Sequence, residues 1–116
     1  MITLDEYIKE NLKKCIRENT HDSGTLLGVP YPYIVPSTEH FDELYYWDTY
    51  FANIGLLKCG MHKLAKDNVD NMLYLVDKYG FMPNGNRTYY LIHSQPPLLS
   101  EMVRDIYNHF CDDVWL

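Results

Sequence analysis

Between residues 61 and 79 the side chains of one face return every three or four positions: Met61, Leu64, Ala65, Asn68, Val69, Met72, Leu73, Val76 and Tyr79. Gly80 follows as a stop. That period dictates an amphipathic helix about 28 Å long. The preceding stretch, Trp47 to about Cys59, also has helical spacing and ends at Gly60. With one or two residues between them, the two helices are predicted to fold back as an antiparallel hairpin.

Two more helical patterns flank the hairpin. Residues 3 to 19 place Leu4, Tyr7, Ile8, Leu12, Cys15 and Ile16 on one face, and Thr3 with Glu6 has capping-box spacing. Pro96 and Pro97 suit the first turn of a last helix, from about Leu98 to Cys111, striped by Leu99, Met102, Val103, Ile106 and Phe110. Between these lie two irregular segments. The first, THDSGTLLGVPYPYIVPST, is broken by Gly24, Gly28, Pro30, Pro32 and Pro36, and reads as a long ordered loop. The second, FMPNGNRTYYLIHSQPP, is irregular throughout. The expected class is all-α: helix, loop, hairpin, loop, helix. At 116 residues this is one domain or part of one.

Charge and composition remove several functions. A net charge of −6 with no cluster of Lys and Arg argues against nucleic acid. No apolar run is long enough to span a membrane, and MITLDEYIKEN has acids where a signal peptide needs a basic start. Cys15, Cys59 and Cys111 lie far apart with no CxxC pair, so reduced thiols and a cytoplasmic location are expected. The histidines form no HExxH or His-x-x-x-His pattern, so neither a metal nor another cofactor is expected. Nucleophile-elbow glycines are absent as well. The sequon NRT at Asn86 matters only for a secreted protein.

What stands out is tyrosine, 11 residues of it, concentrated around LYYWDTYF at residues 44 to 51. Tyrosine and tryptophan gather where a surface is both apolar and hydrogen-bonding. Asp48 sits among these rings, and Glu39, His40, Asp42 and Glu43 precede them. The second loop supplies Asn84, Asn86, Arg87, His93, Ser94 and Gln95. Carboxylates and amides beside aromatic faces are what a neutral polyhydroxylated ligand needs, hydroxyls on the polar groups and the C–H face on a ring. Structural readings stand beside this one: Asp48 as a helix N-cap, Asn84-Gly85-Asn86 as a chain turn, His40 and His93 as ordinary loop histidines.

The two polar segments carry a resemblance. HFDELYYWDTYFANIGLL is similar to the first trehalase signature, and MPNGNRTYYLIHSQPP, about 35 residues further on, is similar to the second. Together they cover roughly residues 38 to 104. The resemblance implies part of an (α/α)6 toroid, about two of its helical hairpins, with a sugar pocket at one end of the inner helices. It implies that Trp47 and Asp48 line a glucose subsite, that Phe41 packs against the sugar, and that Asn84, Ser94 and Gln95 bind it. The chain departs from the family at His40 and His93, where the family carries arginine. Histidine is shorter and cannot fork across two acceptors, so another α-linked glucoside or mannoside stands beside trehalose as ligand.

Trehalases resemble other inverting glycosidases in needing an acid and a base, typically about 6.5–9.5 Å apart. The resemblance places both downstream of these motifs, so the chain is expected to bind without catalysing. Glu43 and Asp48 match supporting and binding positions. Helical stripes made for absent neighbours favour association, so a homo-oligomer is expected. Trp115 and Leu116 at the C-terminus are expected to belong to a structure that continues. A non-catalytic helical interaction module is the alternative.

Overall fold

The structure, a computed structural model, describes residues 3–39, 41–92, 97–111 and 114–115. Four helices carry it: α1 (Leu4–Lys14), α2 (Tyr46–Lys58), α3 (His62–Tyr79) and α4 (Leu99–Phe110). The all-α expectation holds, with one addition, a two-residue antiparallel ribbon of β1 (Ile16–Arg17) and β2 (Tyr33–Ile34).

α1 begins as its sequence requires. The Thr3 hydroxyl accepts the Glu6 amide and the Glu6 carboxylate accepts the Thr3 amide, both at 3.2 Å. It ends at Lys14 rather than running to residue 19. Arg17 explains the early stop, because its guanidinium folds back to donate to the Lys14 carbonyl at 2.8 Å and to the Ile16 carbonyl at 3.2 Å. The chain then turns extended, pairs Ile16 with Ile34, and the Val35 amide donates to the Cys15 carbonyl at 2.9 Å.

α2 and α3 form the expected hairpin. Asn53 of α2 reaches both Ala65 and Asn68 of α3, as adjacent helices running in opposite directions allow. Gly80 ends α3 in the left-handed conformation at φ 87°, its amide donating to the Val76 carbonyl. α4 lays Met102 and Ile106 into the same core as Leu56, Val69, Met72 and Leu75. The chain's last described residues fold onto α3, where the Trp115 indole donates to Asp70 at 2.6 Å and Lys66 pairs with the same carboxylate at 2.8 Å.

The first long loop is core. Leu27, Val29, Tyr33, Ile34 and Val35 are all buried, although only two of them lie in a strand. A loop this deep needs partners for its backbone, and asparagines of α3 supply them. The Asn68 carboxamide accepts the Ile34 amide and donates to Asn53, each at 3.0 Å. Asn71 accepts the Tyr31 amide and donates to the Tyr31 carbonyl, both at 2.9 Å. Asn53 in turn donates to the Ala65 carbonyl at 3.1 Å.

Replacing Asn68 by alanine leaves the Ile34 amide and the Asn53 carboxamide without that partner in a dry interior. Asn68→Ala is expected to lower stability by about 2–4 kcal/mol, read from urea unfolding. Asp77→Ala, on the exposed face of the same helix, is expected to stay within about 0.5 kcal/mol of the parent.

Candidate site where two loops meet

The aromatic octamer and the second irregular loop come together at the start of α2. Tyr45 is the N-cap, with no side-chain cap bond. Asp48 is therefore not the cap; it lies in the first helical turn, where a carboxylate suits the positive end of the helix dipole. The loop caps the helix from outside, since the Tyr46 amide donates to the Asn84 carbonyl at 3.1 Å. Tyr45 and Gly85 form a bridge on the adjoining residues.

Asn86 locks this junction. It is fully buried, its Oδ1 accepting the Leu44 amide at 2.7 Å and its Nδ2 donating to the Leu27 carbonyl at 2.9 Å. Its own carbonyl accepts the Leu27 amide at 2.7 Å. One residue thus ties the first loop, the approach to α2 and the second loop. It also settles the NRT sequon, because a side-chain nitrogen buried in this way has no room for a glycan in the folded protein.

Arg87 makes a second tie. Its Nε and Nη2 both lie 2.9 Å from Glu43 Oε1, and Nη1 donates to Thr25 Oγ1 at 3.0 Å. Glu43 Oε2 accepts the Asp42 amide at 3.1 Å. Arg87 is held in the charged form against burial by the Glu43 carboxylate, which raises its pKa. The Tyr33 hydroxyl donates to the Asp42 carbonyl at 2.6 Å. Burial pushes its phenol up, and Asp42 and Glu43 add to the effect.

Above this frame stands a row of rings. Phe41 meets Tyr45 edge-on at 5.8 Å, Tyr45 meets Tyr90 at 6.0 Å, and Tyr90 meets Tyr89 at 4.7 Å. Burial, then the Tyr90 hydroxyl at 3.5 Å, raises the Tyr45 pKa. Gly85 lies between two of these rings: a Cβ there would meet Tyr45 Cδ1 at 3.1 Å and Tyr90 Cδ2 at 3.2 Å.

Of the expected site residues, Phe41 (40% exposed), Trp47 (43% exposed) and Asp48 all face outward at the head of α2. The Asp48 carboxylate has no hydrogen bond or ion pair among the described residues. Asn84 is half-buried beside them. His40, His93, Ser94 and Gln95 lie outside the described residues. The recess at Asp48, shared with Ile34, Val35, Pro36, Thr49 and Ala52, is only about 20 Å³, far below the roughly 300 Å³ of a small-molecule pocket. A larger open cleft of about 510 Å³ lies on the opposite side of α2, against α4, and none of the expected site residues lines it. Among the described residues, no three His, Cys, Asp or Glu side chains gather as metal ligands. Cys15, Cys59 and Cys111 are free thiols.

Asn86, Glu43 and Arg87 organise the junction; the sequence places them among the polar residues of the two loops, and Glu43 at a supporting position of the family motif, but does not show what they tie together. The one signal was their position inside the two motifs. Gly85→Ala is expected to cost about 1–3 kcal/mol as the two rings are forced apart, read as a lowered melting temperature. The raised Tyr33 and Tyr45 phenols keep their protons in the fold at a pH where the unfolded chain has lost them. Stability is thus fully present below pH about 10 and falls as pH rises beyond it, measurable as a falling urea midpoint.

The trehalase family profile matches residues 2–116. The chain is 49% identical over 102 residues to the periplasmic trehalase of Xanthomonas campestris pv. campestris (strain 8004), covering 86% of this chain and 18% of that protein. It is 55% identical over 86 residues to a probable trehalase of Oryza sativa subsp. japonica, covering 74% of this chain and 15% of that protein. Its structure is similar to the neutral trehalase from Saccharomyces cerevisiae with a TM-score of 0.67 and 38% sequence identity, over 72% of this chain and 15% of the other. The chain therefore spans less than a fifth of the length of these relatives, and over that span it belongs to the trehalase family.

Proposed function

We propose that this chain forms one wall of a sugar-binding subsite for an α-linked glucoside such as trehalose, and that it lacks the catalytic acid and base. The observation that carries the reading is an exposed Trp47 and an Asp48 carboxylate without a partner among the described residues, in the first turn of a helix that the Asn84 carbonyl caps. Asp48 would accept two neighbouring sugar hydroxyls, Trp47 or Phe41 would cover a C–H face, and the Asn84 carboxamide would pair with a further hydroxyl. His40, His93, Ser94 and Gln95 belong to the same proposal through the family motif. The small recess at Asp48 fits a single wall whose opposite side comes from elsewhere.

A cytoplasmic location and a homo-oligomer are part of the same reading. No described helix is long and apolar enough to cross a membrane. Leu4, Tyr7 and Ile8 leave the apolar face of α1 open at 73%, 56% and 37% exposure. That face also favours a second reading, a non-catalytic helical interaction module. Light scattering after size exclusion separates a compact oligomer from a monomer of 13.8 kDa.

Titration with glucose or trehalose, followed by amide NMR, tests the site. Binding is expected with millimolar affinity, and Asp48→Ala is expected to weaken it by roughly tenfold or more, the scale of a lost charged hydrogen bond. A folded protein with no sugar response would favour the interaction module.

A further inference from the structure

The proposed subsite is assembled from segments far apart in sequence, so its clamps need a device that fixes their separation. Asp48 projects from the first turn of α2 and Asn84 from the second loop. The backbone bond between Tyr46 and Asn84 joins them directly at 3.1 Å. With the Tyr45–Gly85 bridge and the bond from the Leu44 amide to Asn86 Oδ1, it joins the two backbones as a short hinge.

We propose that the Glu43–Arg87 pair is the positioning element of this subsite, setting where Asn84 stands relative to Trp47 and Asp48 without touching the sugar. The inference rests on the sugar-binding reading of Asp48 and Asn84. Glu43 lies three residues before the hinge donor Tyr46, and Arg87 three residues after the acceptor Asn84, so the pair closes a ring around the hinge. The ring is stiff: two guanidinium nitrogens sit on one carboxylate oxygen, the other oxygen is held by the Asp42 amide, and the third guanidinium nitrogen is anchored on Thr25.

The chemistry of the pair argues for this use. Both side chains are largely removed from water, at 20% exposure for Arg87 and 10% for Glu43. A pair so placed adds little stability over apolar side chains of equal volume, because desolvation offsets the attraction; what it supplies is a single permitted arrangement. Arginine rather than lysine is required, since only a planar fork reaches Glu43 and Thr25 together. Asn86, between hinge and pair, holds the backbone, and the ion pair adds a side-chain tie across the same junction.

Arg87→Lys tests this, because it keeps the charge and loses the fork. The variant is expected to remain folded by circular dichroism, to shift the backbone amide resonances of Asp48 and Asn84, and to raise the Kd for trehalose about tenfold. Lys63→Ala removes an exposed ion pair with Asp67 on the outer face of α3 and is expected to leave both readouts unchanged. Glu43→Gln carries the same expectations if Arg87→Lys does not fold. A merely structural role would lower the melting temperature yet leave trehalose affinity unchanged well below it; that result, or unmoved Asp48 and Asn84 amides, overturns the proposal while wild-type binding stands. A wild-type protein that ignores trehalose instead removes the sugar-binding reading, and the positioning role with it.

Discussion

A buried backbone amide without a partner costs roughly 1–3 kcal/mol, and this chain buries much of a loop that has almost no secondary structure to satisfy it. Four asparagine side chains take the place of a sheet. Asn68 and Asn71 of α3 hold the backbone around Ile34 and Tyr31, Asn53 of α2 holds Asn68, and Asn86 holds Leu27 and Leu44. No buried side-chain nitrogen or oxygen among the described residues lacks a partner. A carboxamide suits this task because it is short, uncharged, and offers donor and acceptor side by side, matching the peptide group it replaces. The helices provide the surface, and the asparagines decide which extended segment lies on it and in what register.

That arrangement explains how an acid comes to sit among aromatic rings in LYYWDTYF. The residues of the octamer divide by direction. Leu44, Tyr46 and Thr49 point into the core, and the Tyr46 hydroxyl accepts the Leu99 amide at 2.8 Å to seat the start of α4. Trp47, Asp48 and Phe51 point out. From Tyr46 onward the helix period separates the two groups, so a segment that looks uniformly apolar in one dimension has a packed face and an open one. Asp48 lies on the open face and costs nothing in desolvation.

The parts legible in the sequence were those set by local rules. The hairpin followed from period and short connection, the start of α1 from Thr3 and Glu6, the end of α3 from Gly80, and the family from two motifs at their proper separation. The parts that were not legible depend on partners distant along the chain. Asn68 reads as one more member of a helical stripe, and only the Ile34 amide 34 residues earlier shows why it is not leucine. Asn86 reads as a turn residue or a sequon, although it is as buried as any leucine of the core. Asp48 reads equally as an N-cap, since nothing local reveals that the Asn84 carbonyl performs that role. α1 stops early because Arg17 is drawn toward Lys14, Asp42 and Thr38, a choice that helix propensity does not contain. Each of these is a tertiary contact overriding a local preference.

Asparagine side chains are expected to fix the two loops as firmly as the helices are fixed, within this chain alone. Hydrogen exchange at the Ile34 and Leu44 amides measures that directly, because each donates to an asparagine side chain of the network. These amides are expected to exchange only through global unfolding, as slowly as those in the interior of α3. Exchange at the rates of open loops, with α3 still protected, would contradict it.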